Sequence, residues 1–224
     1  MNNTIQYTVD EDGIATLTID LPGKSMNVLT PELMEDLSTL TKKAAADEVV
    51  KGMVLTSGKK AFIAGADIKD MVTAYDRGVT HEEAASFSYG LNKTLRDMET
   101  CGKPIAVAIN GLALGGGLEV CLGCHYRVVA SDTGAVLGFP EVNIGLLPGA
   151  GGTQRTPRLI GFRNAATMVL QCRNQRPDQA LEMGLVHELA SVSEIVERAR
   201  QWVLEKGDPE QPWDKKGFKL SLIH

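Results

Sequence analysis

Apolar and polar residues alternate over Ile14-Ala15-Thr16-Leu17-Thr18-Ile19, the period-two pattern of a half-buried strand. Thr30 followed by Pro31 reads as a helix N-cap and its first residue, and Leu33, Leu37, Leu40 and Ala44 continue at helical spacing. Met53-Val54-Leu55-Thr56 is a short buried strand closed by Ser57-Gly58. A loop from Lys59 to Lys69 leads to a second helical stretch, whose core stripe is Ala84, Phe87, Leu91, Leu95 and Met98. A third strand runs over 104–109 and ends at the turn dipeptide Asn110-Gly111. A short helix follows Gly115-Gly116-Gly117, then a strand over 126–130 and a very short one over 135–138. Later helices are expected near 164–171, 177–183 and 193–206, with Gly184 and Gly207 as C′ glycines. Strands and helices alternate from end to end, so the class is α/β with mainly parallel crossovers. The breaker-rich run Asp208-Pro209-Glu210-Gln211-Pro212 opens an aperiodic tail.

Composition changes this picture little. A chain of 224 residues sustains one core without staples. Its 43% hydrophobic and 23% charged residues exclude a disordered tail or a collagen-like rod. A net charge of −5 and 5% aromatic residues argue against a nucleic-acid partner. No basic segment followed by an apolar run opens the chain, and no apolar stretch approaches the ~18 residues that span a bilayer. A cytoplasmic protein with reduced thiols is therefore expected. Cys121-Leu122-Gly123-Cys124-His125 matches the haem-attachment pattern in form, but small buried thiols on an apolar helix fit the setting better. A zinc site lacks two further ligands nearby.

Glycine is the informative residue. Of 23, 11 lie between Gly111 and Gly152. Gly115-Gly116-Gly117 ahead of an apolar helix exposes amides that can hold an oxyanion or a phosphate. Close helix–strand packing explains the same triplet equally well. A P-loop is excluded by the missing Lys-Ser/Thr pair, and neither Gly115 nor Gly149 opens a dinucleotide fingerprint. Glu119 sits one turn into the apolar helix, and Glu141 stands between Phe139-Pro140 and Val142-Asn143-Ile144. Carboxylates in apolar settings are costly unless paired or functional. Proton transfer or water activation is one reading. An ion pair with Arg127 or Arg155 is another, and a glycosidase pair is a third, weakened by the scarcity of aromatic residues.

Three long motifs resolve much of this. Ala61-Phe62-Ile63-Ala64-Gly65-Ala66-Asp67-Ile68-Lys69, Gly115-Gly116-Gly117-Leu118-Glu119, and the run 139–155 from Phe139-Pro140-Glu141 to Gly151-Gly152-Thr153-Gln154-Arg155 resemble the enoyl-CoA hydratase/isomerase (crotonase) family. The likeness covers about residues 5–206. It implies a crotonase-like spiral of repeated ββα units over 1–206, with 207–224 as a linker or truncated tail. It implies that the Ala66 and Gly116 amides hold a thioester oxygen, that Glu119 helps activate water, and that Glu141 handles the proton at the α carbon. Met26, Val28, Ala64, Gly65, Asp67, Ile68 and Lys69 would flank the CoA moiety of an acyl-CoA thioester, with no metal and no separate cofactor. Isomerisation of a 3-enoyl to a 2-enoyl thioester would share Glu141.

The run 136–141 and the tail 212–219 are similar to a multifunctional β-oxidation branch of the family, in which a 3-hydroxyacyl-CoA dehydrogenase follows. That branch implies a thiolase partner, with a homo-oligomer as the alternative. It also implies that the chain is cut short, with an incomplete site wall and weak activity. Glu119 and Glu141 are 22 positions apart, slightly more than in shorter members, so Asp132-Thr133-Gly134 is expected to bulge outward. An isomerase alone, or a non-catalytic acyl-CoA binding module, are the competing functions.

Overall fold

The computed structural model describes residues 2–221, so the last three residues of the expected tail lie outside it. Eight strands are described: β1 (Ile5–Val9), β2 (Ile14–Ile19), β3 (Gly52–Ser57), β4 (Ile105–Ile109), β5 (Ala113–Leu114), β6 (Tyr126–Ala130), β7 (Leu137–Gly138) and β8 (Glu188–Ala190). The helices are α1 (Pro31–Ala46), α2 (Ile68–Asp76), α3 (His81–Glu99), α4 (Gly116–Leu122), α5 (Gly152–Leu170), α6 (Pro177–Glu182) and α7 (Ile195–Glu205). Six strands form one sheet in the order β1-β2-β3-β4-β6-β8. Only β1 is antiparallel to its neighbour.

Period-two alternation splits the strand side chains between two cores. Ile105, Val107 and Ile109 of β4 face the larger core with Met53 and Leu55 of β3, while Ala106, Ala108 and Val54 face a smaller one. The second face is covered by Ile195, Ala199 and Val203 of α7. Its residues are small because α7 lies close: a Cβ at Gly52 would stand 2.4 Å from Val203 Cγ1.

The spiral emerges from a second, shorter row of pairings. After β2 the chain gives Leu29, which bridges Ala66. After β3 it gives Ile63, which bridges Ala113 of β5. After β4 comes β5, paired in parallel with β7, which itself follows β6. Each turn thus supplies one strand to the large sheet, one short segment to the small row, and then a helix.

Several expectations need correction. Ala84 and Phe87 are exposed, so the α3 stripe is buried only from Leu95 onward, with Leu91 half-buried. A separate α2 precedes α3, with no buried residue to announce it. Thr80 and Glu83 form a capping box that starts α3. The helix expected at 164–171 begins at Gly152 and is broken at Gly161 (φ 76°, ψ 162°). Gly184 is left-handed as expected, but Gly207 is not; a Cβ there would meet the Val203 carbonyl oxygen at 2.4 Å. Asp132, Thr133 and Gly134 form an exposed turn.

Cys121 on α4 and Cys124 just beyond its end are buried, and their thiols donate to the carbonyls of Gly117 and Val120. His125 accepts the Ile105 N–H at 3.0 Å through Nδ1. These contacts make the segment a packing element of the core, as small buried thiols in an apolar setting would be.

His187 accepts the Arg127 N–H at 3.1 Å, and the fully buried Arg127 side chain lies against it. Burial, then the Arg127 charge, push the His187 pKa down to about 3, and burial also lowers that of His125. Both histidines are neutral in the fold. Below about pH 6.5 the unfolded chain takes up protons that the folded histidines refuse, so their contribution to stability falls as pH drops toward 3. Measured against His187→Asn, which keeps an acceptor for the Arg127 N–H and does not titrate, the parent's urea midpoint should decline between those values, and a difference flat from pH 6.5 to 4 would contradict this assignment.

Candidate active site

The site is built where successive turns of the spiral meet. β5 runs into Gly115, whose N–H donates to the Gly138 carbonyl at 2.8 Å and so extends the β5–β7 pairing. Three residues beyond Gly138 stands Glu141, opening a 3-10 turn over Glu141–Ile144. Four beyond Gly115 stands Glu119, in the first turn of the seven-residue α4.

Each glycine of the triplet has its own reason. Gly115 adopts φ 51° and ψ −125°, and a Cβ there would lie 2.6 Å from Glu141 Oε1. A Cβ on Gly116 would meet Leu29 Cδ2 at 2.6 Å, and one on Gly117 would meet the Ile63 carbonyl oxygen at 2.3 Å. Close packing therefore accounts for Gly116 and Gly117, while Gly115 leaves room for a carboxylate. Leu29 touches the Gly116 position and bridges Ala66, which draws the segments of Ala66 and Gly116 together. Among the described residues, neither the Ala66 nor the Gly116 N–H meets an acceptor.

Glu119 is 2% exposed. Its Oε1 accepts the N–H groups of Ala150 and Gly152 at 2.8 and 2.6 Å. Burial pushes its pKa up to about 7; the Gly152 N–H pulls it down, and the nearby Glu141 raises it again. Glu141 is raised by burial as well, and its buried Oε2 has no hydrogen-bond partner. The anticipated arginine partners are engaged elsewhere. Arg127 donates to the Leu185 and Cys124 carbonyls, and Arg155 forms a buried ion pair with Glu99. The two glutamates thus form a carboxyl pair with no ion-pair partner among the described residues, and burial raises the pKa of both, that of Glu119 to about 7.

The remaining candidates lie at one edge of this pair. The Ala64 N–H donates to the Asn27 carbonyl at 2.9 Å, and Gly65 is left-handed at φ 100° while its carbonyl accepts from Leu29. Met26, Ile68 and Lys69 are exposed, and Val28 is half-buried. Asp67 is occupied: it caps α2 through the Lys69 N–H at 3.0 Å and pairs with Lys24. Sequence reasoning missed Asn27 itself. It is fully buried, accepts the Leu21 N–H, and donates to the Ile19 and Phe62 carbonyls and to Ser57 Oγ. It ties the Met26–Val28 segment to the Ala64–Ala66 one, and an amide flanked by two apolar residues was its signal. Among the described residues there is no cluster of three His, Cys, Asp or Glu able to hold a metal.

Glu119→Gln isolates the cost of this burial. Glutamine Oε1 still accepts from Ala150 and Gly152. The folded pKa of Glu119 is raised, so its favourable contribution is complete below pH ~4.5 and disappears as pH rises through 7. The variant should thus gain stability over the parent with rising pH, by up to about 3 kcal/mol above pH 7. Urea unfolding at pH 5 and pH 8 checks it; equal differences at both would refute the raised pKa.

Comparison with known proteins gives a consistent result. The family model described as enoyl-CoA hydratase/isomerase matches residues 10–208. Fatty acid oxidation complex subunit alpha of Shewanella oneidensis is 44% identical over 190 residues, covering 84% of this chain and 26% of that protein. The same subunit of Shewanella putrefaciens is 41% identical over 225 residues, covering all of this chain and 31% of the relative. The chain therefore spans under a third of the length of these relatives. Among solved structures, an enoyl-CoA hydratase from Bacillus anthracis superposes with a TM-score of 0.81 at 29% identity, over 91% of this chain and 76% of that one. DspI of Pseudomonas aeruginosa gives 0.81 at 26% identity, over 92% and 82%. With its spiral, its glycine-backed glutamate pair and a family match over nearly the whole length, the chain belongs to the enoyl-CoA hydratase/isomerase family.

Proposed function

We propose that this chain hydrates a 2-enoyl-CoA thioester, and the observation that carries the reading is the glutamate pair beside Gly115. The Glu119 carboxylate, fixed at Oε1 by two amides, takes a proton from water through its other oxygen. The water oxygen bonds to C3, and the double-bond electrons move toward the thioester carbonyl. Negative charge collects on the thioester oxygen, where the Ala66 and Gly116 amides stabilise it. The unpartnered Glu141 carboxyl delivers a proton to C2. Proton return between the two carboxyls through solvent completes the cycle. Water and substrate balance the reaction, and no step in it is assigned to a metal or a separate cofactor.

The CoA moiety lies along Ala64, Gly65, Asp67, Ile68 and Lys69, with Met26 and Val28 on its flank. Asp67 contributes by starting α2 and holding Lys24 in place, rather than by touching substrate with a free carboxylate. The same Glu141 moves a proton in the 3-enoyl to 2-enoyl isomerisation.

The relatives' name extends the reading. This domain is the hydratase portion of a multifunctional fatty-acid β-oxidation enzyme that also carries a 3-hydroxyacyl-CoA dehydrogenase, works with a thiolase subunit or as a homo-oligomer, and acts in the cytoplasm. The domain occupies 1–206; beyond it Gln211 donates to the Cys124 carbonyl and Asp214 binds Arg96, so the following segment packs back against the domain. No helix among the described residues is long and apolar enough to cross a membrane.

Glu141→Gln should abolish hydration of a short 2-enoyl-CoA, by a factor of roughly 10² or more, while the variant folds and still binds the thioester. Turnover at the parent rate would remove Glu141 from the proton-transfer step. Assay of 2-enoyl and 3-enoyl substrates side by side on the parent separates hydratase from isomerase, and thioester binding with neither turnover would mark a binding module.

A further inference from the structure

The Glu119 carboxylate depends on two amides from a stretch with little stiffness of its own, because Gly149, Gly151 and Gly152 make up three of its four residues. Something else must fix it. The peptide between Gly149 and Ala150 donates its N–H to Glu119 at 2.8 Å. The carbonyl of that same peptide is gripped from the opposite side by α3: Ser88 Oγ donates to it at 2.5 Å and Asn92 Nδ2 at 2.8 Å. In a trans peptide the C=O and N–H point in opposite directions, so gripping one aims the other. The next carbonyl, that of Ala150, accepts from Arg155 Nη1 at 3.0 Å. Arg155 is itself held by Glu99, at 2.6 and 3.2 Å, in a pair buried to 8% and 1% side-chain exposure. A buried ion pair is weak evidence for stability, since apolar residues of similar volume often do as well. Here its planar fork leaves one N–H directed at the loop, a directional function that apolar packing cannot supply. Glu99 also receives Arg96, whose fork binds Asp214 at 2.8 Å twice.

We propose that Ser88, Asn92 and the Glu99–Arg155 pair are positioning residues that clamp the 149–152 backbone and thereby aim Glu119, placing the hydratase carboxylate under the control of α3. None of them touches Glu119. The proposal rests on the hydratase reading for its kinetic consequence, and on the hydrogen-bond geometry alone for its structural one.

Ser88 and Asn92 are half-buried, so their replacement spares the core. The paired variant Ser88→Ala with Asn92→Ala should fold, with kcat for a short 2-enoyl-CoA reduced roughly 10- to 100-fold at a KM near that of the parent. Its pH–rate profile should shift upward, because Glu119 loses well-aimed donors. Ser88→Thr, with Asn92 intact, retains the hydroxyl and should restore the parent rate. Arg155→Lys tests the second grip: it keeps the charge and loses the fork, and kcat should fall while KM holds. A folded Ser88→Ala/Asn92→Ala protein with parental kcat and pH profile would overturn the clamp. If the parent itself turns over no enoyl-CoA, the hydratase reading fails, and the clamp is read instead by carboxyl-13C NMR. The Glu119 resonance, assigned by its loss in Glu119→Gln, should titrate at higher pH in the paired variant. An unmoved midpoint would overturn the clamp on its own.

Discussion

The two-residue parallel pairing of β5 with β7 is the constraint on which the site depends. It aligns Ala113 with Leu137 and Leu114 with Gly138, and the Gly115 amide continues the ladder to the Gly138 carbonyl. One strand then enters α4 and delivers Glu119; the other turns at Phe139-Pro140 and delivers Glu141. A slip of one residue would reverse the faces of both segments and part the carboxyls. The pairing is too short to be stable alone. It is held by Ile63 on one side and Gln175 on the other, each bridged to it by backbone hydrogen bonds.

Energetically the site opposes the fold around it. Two carboxyls with no basic partner sit against an apolar helix and a glycine turn. The fold compensates with backbone donors rather than cations, and the distinction matters. An arginine beside Glu119 would drive its pKa down and fix it as a spectator anion. Two amides satisfy one oxygen while leaving the group able to hold a proton near neutrality. The buried cations are spent one shell further out, Arg155 on Glu99 and Arg127 on carbonyls, where they set backbone geometry.

Much of this was legible in the sequence because the relevant signals are local. The alternation in β2, the Thr30-Pro31 cap and the Gly115–Gly117 triplet each specify their own geometry. The two glutamates stood out as charges among apolar neighbours. What escaped was either non-local or without periodicity. Helix α2 buries nothing, so no stripe announces it. The front of α3 carries Phe87 on an exposed face, which imitates a core position. Arg155 stood out in the sequence only as a partner for the two glutamates, and its actual partner Glu99, 56 positions away, carries no local sign of burial until the spiral joins them. Asn27 illustrates the intermediate case, visible as an amide between apolar residues but intelligible only through its three distant partners.

The spiral has a consequence for how competence is acquired. Leu29 belongs to its first turn, Ile63 and Ala66 to the second, the glycine triplet and Glu119 to the third, and Glu141 to the fourth, with the amides that hold Glu119 later still. No single turn contains a working fragment, and each short segment has its pairing partner in a different turn. Emerging from a ribosome, the chain has no carboxyl pair until residue 141 is out and no aimed carboxylate until residue 152 has followed. On the proposed reading, chemistry on this scaffold therefore waits for the turns of the coil to assemble.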